Sequence, residues 1–519
     1  MILLFLTLIP GLLWDEGPKT APVLAKAGIR EIATTGKASN WDSTNVRATN
    51  VNAASLEKVD APGVDFQAAR GGATGDPWIN SNLWRELKDQ GKAFVYEVSG
   101  PAVPLAVAEA YASGARAYIR VKRDDLGAFA AAIRFLREID GPPLEPRVNV
   151  GLVDDGSPEM EEIMNLLVRR NLLFQPVGEA TEWKGARVRV GTPEYSKAMA
   201  AEPYAFAAVV RDRIGDDRRL VRIYGSNTTV VRMFGGGTHS RVHLIQYGRD
   251  SVRGLRVRVL GRYPRVLVAG LGQRVTVPQD VTMDDSATEF TIPEFHTYAV
   301  VDLDESSQGL LTSVHSDRGF ALTADPDAEQ WKTAPPVSIS TGAAGESVPF
   351  GATQVRSRWT SDSLYLLYAC PFDALHLKPD AATDRETPVL WNWDVAEAFI
   401  GADFQNVGQY REYQVSPQGE WVDLDIDVLN PKPGGGMSWN SGFEVKARID
   451  EAHKIWYGEM RIPLASVAAR EWRAGDRARL GLFRCAGPLE QRNLVAWQPP
   501  FRRNFHVPEA FGILELKRD

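Results

Sequence analysis

The feature that most constrains this chain is a strict two-residue alternation late in its length. Phe443, Val445, Ala447 and Ile449 alternate with Glu444, Lys446 and Arg448, and Val422, Leu424, Ile426 and Val428 alternate with Asp423, Asp425 and Asp427. Successive side chains of a strand point to opposite faces, so a period of two over several segments predicts strands with one apolar and one polar face. Residues 395–400 read as a further strand of this kind. Residues 325–519 are therefore expected to form an antiparallel β-sandwich with one wet face, and Gly434-Gly435-Gly436 a loop.

The rest of the 519 residues is too long for one more ordinary domain. Residues 15–145 alternate predicted strands (29–34, 93–98, 117–121) with predicted helices (102–113, 124–139). Leu126, Phe129, Ala130, Ile133, Phe135, Leu136 and Ile139 give the second helix an apolar face. Such alternation implies parallel strands with helical crossovers. An eight-fold barrel takes about 250 residues, so only part of one fits here; the region is similar to a truncated glycosidase-type barrel. Residues 146–235 predict strands at 147–153, 172–177, 187–190 and 220–224. A helix should start at Pro158, capped by Ser157 and with Glu159 in its first turn. This unit resembles a glutamine-amidotransferase-like domain, whose chemistry needs a nucleophilic Cys and a His. The segment has no Cys, and the first His of the chain is His239, so the resemblance implies a catalytically dead scaffold. Residues 236–303, all short strands and Gly/Pro turns, predict a small antiparallel sandwich, with a further strand at 274–277 among them. Residues 304–324, polar and without period, predict a linker. The fold class expected is thus α/β plus all-β and multidomain: parallel α/β units followed by two antiparallel β-sandwiches.

The net charge of -7 and the absence of a long basic run argue against nucleic acid as a partner. Residues 2–14 form an apolar run too short to span a bilayer and about the size of a signal-peptide core. No Lys or Arg precedes it and no clean small-residue cleavage site follows, so a buried first strand is the rival reading. The signal reading, over residues 1–14, is preferred and makes the protein secreted or periplasmic. No other segment predicts a membrane span. Cys370 and Cys485 would pair if the protein is exported, or remain two buried free thiols; spacing does not decide.

Candidate chemistry centres on residues 390–404. Trp391 and Trp393 stand just ahead of Asp394 and Glu397. An indole stacks on the apolar C–H face of a sugar while polar neighbours hold its hydroxyls, although core or rim packing is the plainer reading of two tryptophans. Further motifs follow in order: residues 410–417, 422–427, Ala496-Trp497-Gln498-Pro499-Pro500, and 505–514. This succession, over residues 325–519, resembles the family-9 carbohydrate-binding modules and their relatives in secreted bacterial proteins. The resemblance implies two aromatic rings gripping a terminal sugar. They fall here on Trp391 and on Phe505, where the family pattern has a second Trp. It also implies polar groups for the hydroxyls at Gln414 and Arg484, with Glu397 and His506 beside them and Trp393 ranked below Trp391. Arg suits this role because its planar fork donates to two adjacent hydroxyls. Modules of this family commonly carry calcium, and Asp423, Asp425 and Asp427 could supply oxygen ligands; a solvated carboxylate face is the simpler account.

Other chemistries find less. Glycoside hydrolysis needs two carboxylates across a cleft, and nothing in the sequence pairs any two of Asp15, Glu16, Glu97, Glu109, Asp154 and Asp155. The loop at residues 71–85 combines glycines, Trp78, Trp84, Asn80, Asn82 and Arg85, as a polar ligand site would, or as a long packed loop would. It lacks the Lys-Ser/Thr of a phosphate loop. His239 and His243 lie on a predicted strand without a third ligand, so zinc is not expected. A related sandwich fold binds haem in electron-transfer proteins through an axial pair, for which Met437, Met460, His453 and His506 are available. The preferred expectation is an exported carbohydrate-binding protein whose partner is a poly- or oligosaccharide. The alternatives are a glycoside hydrolase with its site in residues 15–145, and the haem protein.

Overall fold

The structure is a computed structural model that describes residues 9–66 and 77–518. Residues 1–8 of the apolar run and 71–76 of the Gly-rich loop lie outside the described residues. The chain divides into two compact units, one of residues 1–138 and 143–306, the other of residues 139–142 and 307–519. The class is as expected: parallel α/β segments first, antiparallel β-sandwiches after them.

In the first unit, strands Gly11–Leu12, Arg116–Arg120, Ala93–Glu97 and Leu56–Val59 lie side by side, all parallel. A Leu13–Ala33 bridge adds Glu31–Thr34, which pairs in turn with Arg47–Asn50. Numbered along the chain, the six strands run 3-2-1-6-5-4, the order of a parallel barrel opened between its third and fourth strands. Helix Ala102–Ser113 is buried on nearly all sides because it packs against both a strand of this sheet and strand His239–Gln246 of the sandwich that follows. It ends at Gly114, whose φ of 76° is a left-handed turn that a β-carbon would strain.

The described end of the apolar run is part of the folded unit. Leu12, Leu13 and Trp14 are buried, Gly11 and Leu12 are paired, and the Trp14 indole N–H donates to Thr20 at 2.8 Å. The rival reading, a first strand, describes residues 11–14; an apolar run of this length fits either use. Among the described residues no helix is long and apolar enough to cross a membrane.

Three parallel strands follow, with Val150–Val153 between Phe174–Val177 and Ala186–Val188. The sandwich then sets Val221–Tyr224, Val252–Leu260, Ala287–Phe295 and Gln279–Met283 in one sheet. Glu145–Pro146, Thr229–Gly236, His239–Gln246, Tyr298–Asp304 and Arg265–Gly270 form the other. The expected boundaries at 145/146 and 235/236 therefore do not hold. Thr229–Gly236 and His239–Gln246 are two arms of one hairpin, and a boundary at residue 236 would cut it. The strand expected at 274–277 is absent, and Gln279–Met283 takes the sheet edge instead.

In the second unit the strand order is Trp421–Asp427, Gln409–Val415, Val395–Gly401, Arg477–Ala486, Gly512–Lys517, Leu310–His315, Thr353–Trp359, Ser363–Pro371, Ile455–Pro463, Glu444–Asp450. The two halves of this run share one core, in which Ala396, Ala398, Ile400 and Tyr413 meet Leu364, Leu366, Trp456 and Met460. The linker expected at 304–324 is corrected here, since Leu310–His315 is an interior strand, parallel to both neighbours. Its buried positions are Leu311 and Ser313, the latter bonded to Ser357, so a small polar residue hid the alternation. Past it, the buried Glu459 carboxylate accepts from the Thr323 and Ala324 amides and the Trp331 indole, at 2.6, 2.7 and 3.1 Å.

The Ser157 cap forms as read: its Oγ accepts from the Met160 amide at 3.1 Å, and Pro158 opens the helix. Ser157→Ala should lower stability by about 1 kcal/mol, measured as a shift in urea midpoint.

Candidate functional site

Strand register decides which candidates meet. Glu397 sits opposite Gln414 on one neighbouring strand and Phe483 on the other, and Phe399 sits opposite Glu412 and Gly481. These side chains share the outer face of the sheet, away from the core that takes Ala396 and Ala398. Arg484 is opposite Ala396, one residue out of step, and so points to the inner face. There its Nη1 donates to the Pro371 carbonyl at 2.7 Å and Thr353 Oγ1 at 3.2 Å, with the guanidinium 4.4 Å from the Phe350 ring centre. Arg484 therefore does not join Glu397 and Gln414; a one-residue offset carries it through the sheet.

Glu412 takes its place in the group, and sequence reasoning missed it. Gln414 Nε2 donates to Glu412 Oε1 at 2.5 Å. Glu397 Oε2, Glu412 Oε2 and Gln414 Oε1 are buried with no hydrogen-bond partner in the protein. Burial, and then the neighbouring Glu412, hold the Glu397 carboxyl well above the usual carboxylate range. Burial pushes Glu412 up to about 8, against the opposing hydrogen bond from Gln414. This outer face is covered; the carboxylates expected on a wet face, Asp423, Asp425 and Asp427, lie on the other side of the sheet, with Asp423 opposite Tyr413. Asp423 on the next strand is buried too, accepting from the Ser441 amide at 2.8 Å.

On this face Trp391 is half-buried between two apolar groups. One contains Phe399, Tyr410, Phe483 and Phe505; the other Leu390, Val395, Val422 and Leu424. Trp391 belongs to a single 3-10 turn, Leu390–Asn392, entered through Val389 at φ 53°, a left-handed conformation costly for a β-branched residue. Arg492 holds the turn in place. Its Nη1 donates to the Asn392 carbonyl at 3.1 Å and to Gly487, and its Nη2 to the Trp393 carbonyl at 2.5 Å and to Trp391. An isolated Arg in a loop gives no sequence signal for such a role.

The remaining candidates fall as follows. Trp393 stacks on His376, ring centres 4.8 Å apart. Phe505 is buried face to face with Phe483 at 4.3 Å, so its ring is spent on packing rather than standing open opposite Trp391. His506 Nδ1 lies 2.5 Å from the Tyr410 hydroxyl. The carboxylates read for calcium turn to separate partners: Asp423 to Ser441, Asp425 to Arg411 and Lys432, Asp427 to Gln409 and two amides. Among the described residues no three His, Cys, Asp or Glu gather as a metal site. The haem candidates are dispersed, Met460 in the inner core, His453 on an exposed turn beside Asp450. Cys370 and Cys485 are both buried and free, in different apolar groups.

In the first unit, Asp15 and Glu97 both pair with Arg120, at 3.0 and 3.7 Å, and Glu16 pairs with Arg123. Each is neutralised by a cation. Asp154 and Asp155 accept from backbone amides in their turn. His239 bonds Asp302 and His243 bonds Tyr298.

No family model matches the chain. A protein of Arthroderma benhamiae described as an extracellular protein is 24% identical over 178 residues, 31% of this chain and 78% of that one. Among solved structures, a family-9 carbohydrate-binding module from Caldicellulosiruptor kristjanssonii in complex with cellotriose aligns with 41% of this chain and 95% of its own, at 13% identity and a TM-score of 0.29. The same source's module in complex with glucose aligns with 40% and 96%, at 14% identity and 0.28. Alpha-L-fucosidase isoenzyme 2 from Paenibacillus thiaminolyticus aligns with 42% of this chain and 61% of its own, at 8% identity and 0.34. The amidotransferase-like reading of residues 146–235 finds no counterpart among these.

Two outcomes follow from this geometry. Glu412 keeps its proton in the folded protein up to about pH 8, but in the unfolded chain only up to about 4.5. Between those values the folded state binds more protons, so stability falls as pH rises through the window. The melting temperature of Glu412→Gln relative to wild type should therefore climb from pH 4.5 to pH 8. Arg492→Ala should cost about 1–3 kcal/mol, the scale of charged hydrogen bonds, and speed amide exchange around residues 389–393, read by mass spectrometry.

Proposed function

We propose that residues 307–519 form a carbohydrate-binding sandwich whose site is the outer sheet face beneath Trp391. The observation that carries this reading is the set of three adjacent buried oxygens without a hydrogen-bond partner, on Glu397, Glu412 and Gln414. A buried acceptor left unpaired costs roughly 1–3 kcal/mol. Sugar hydroxyls are donors spaced along one ring edge, and they suit such a row. The carboxyl protons of Glu397 and Glu412 supply donors in return, so each hydroxyl oxygen can be met as well. Trp391 offers the flat apolar surface for the sugar's C–H face.

Because the three polar side chains are covered, the ligand reaches them by displacing the Leu390–Asn392 turn. That turn is short and strained at Val389, and it hangs from one guanidinium. The grip differs from a two-ring clamp, since Phe505 is already stacked on Phe483. Trp391, half-buried, is the ring this reading assigns to the sugar, and Trp393 stacks on His376. The chain is an exported protein in this reading, acting on poly- or oligosaccharides; the similarity to an extracellular protein supports the location.

Trp391→Ala should weaken binding by about 1–3 kcal/mol, the transfer energy of an aromatic side chain taken from apolar contact. Calorimetry with glucose, cellobiose and xylo-oligosaccharides reads the difference. Equal affinity in wild type and variant would place the site elsewhere.

A further inference from the structure

The described part of the loop marked out in the sequence by its indoles, amides and arginine, from residue 77 on, forms one wall of a cleft in the first unit. The wall consists of strand Pro77–Asn80, Ser81, Asn82 and the start of helix Leu83–Lys88; the facing wall is helix Pro158–Arg169. The cleft encloses about 490 Å³, within the range of small-molecule sites.

Two polar atoms on the helix side have no partner in the protein although both are buried: Asn165 Oδ1, an acceptor, and Arg169 Nη1, a donor. They are four residues apart on one helix, hence on one face, the face that lines the cleft. Arg169 is fixed where it stands. Its Nε donates to the Ile79 carbonyl at 2.9 Å, and its guanidinium lies 3.2 Å from the centre of the Trp78 ring. Burial pushes this guanidinium down to about 10, so it remains charged at neutral pH.

The loop wall is fixed from behind. Ser81 Oγ and Asn82 Nδ2 donate to the buried Glu109 carboxylate at 2.9 and 3.0 Å, and the Tyr247 hydroxyl bonds the same carboxylate. Asn82 Nδ2 also donates to the Asp60 carbonyl at 2.9 Å. Both walls thus hold their polar groups before any ligand arrives, the condition for a site rather than a crevice.

Charge selects the ligand class. The cleft is lined by Arg85 and Asp60 on the loop side and by Arg169, Glu161 and Glu162 on the helix side, and Glu161 is already paired with Lys88 at 2.7 Å. The balance favours neither an anion nor a cation. We propose that this cleft is a second binding site, independent of the one beneath Trp391, for a neutral polyhydroxylated ligand of oligosaccharide type. An adjacent donor and acceptor are what a sugar hydroxyl uses, and the exposed part of Trp78 gives the apolar contact.

The full chain carrying Trp391→Ala isolates this site. Calorimetry with cellotetraose, xylotetraose, maltotetraose and trigalacturonate is expected to show binding of at least one neutral oligosaccharide. Adding Asn165→Leu should weaken that binding by about tenfold or more, with the melting temperature held. Arg169→Lys, which keeps the charge but loses the ring stack, should do the same and serves if Asn165→Leu fails to fold. No neutral oligosaccharide bound by the Trp391→Ala chain, binding indifferent to residues 165 and 169, or binding of trigalacturonate alone would each overturn the proposal. Failure of the Trp391 site is separate, because it appears as indifference to residue 391.

Discussion

A carboxyl group taken out of water with no cation beside it needs either donors or a proton, and much of this protein is arranged around that requirement. Glu109 is met by the hydroxyls of Ser81 and Tyr247 and the amide of Asn82, with Tyr96 alongside. Those bonds draw together a loop, a strand of the parallel sheet and the end of a sandwich strand. Glu459 takes three donors from residues 323–331 and so fastens the segment that leads into the second unit's sheet. In both places the acid is satisfied internally, and the result is a fixed piece of architecture. Glu397 and Glu412 are buried as deeply, yet each keeps an oxygen with no donor. Glu86, beside Glu109, also keeps one unpartnered oxygen, but at Glu397 and Glu412 two such acids share one sheet face with the unpartnered Gln414 Oε1.

Arginines do the complementary work on loops. Arg479 donates to the carbonyls of Asp403, Val407 and Gln409, at 2.9–3.0 Å, and closes the turn between two strands. Arg492 does so for the tryptophan turn. Irregular backbone has carbonyls that no ladder satisfies, and a planar fork can reach several at once. A loop held this way is ordered without being packed, and so it can carry a ring at a sheet surface and still move.

How much of this was legible depends on whether a residue acts through its neighbours in sequence or through register. The alternation at 443–449, the helix at 102–113 and the Ser157 cap are local, and they stand where the sequence puts them. The placement of Trp391 on a turn and Glu397 on the strand that follows, six residues apart, is local in the same way. That of Arg484 is not. Its face depends on pairing with Ala396, and a shift of one residue would have put it beside Glu397. Glu412 was hidden in the same way, since nothing before the pairing with Phe399 says that it is buried. The strand at Leu310–His315 escaped notice because Ser313 fills a core position with a hydroxyl that needs Ser357, forty-four residues on, to satisfy it.

An unpaired buried acceptor is a standing cost to the free protein, of roughly 1–3 kcal/mol each, and a fold selected for stability alone would have supplied a donor or an apolar side chain. Retaining three of them side by side makes sense if something else provides the donors. The cost is then part of the affinity, because a ligand that satisfies these groups relieves it, and one that lacks a hydroxyl at the right place does not. Discrimination follows from the same source. A deoxy sugar would leave the acceptor as unpaired as before while still filling the space, so it should lose more than the single hydrogen bond it cannot make. The carboxyl protons sharpen this further. With Glu412 protonated to about pH 8, the floor presents donors as well as acceptors near neutrality, and only a group that can both give and take a hydrogen bond completes it. In the proposed reading, hydroxyls meet that condition.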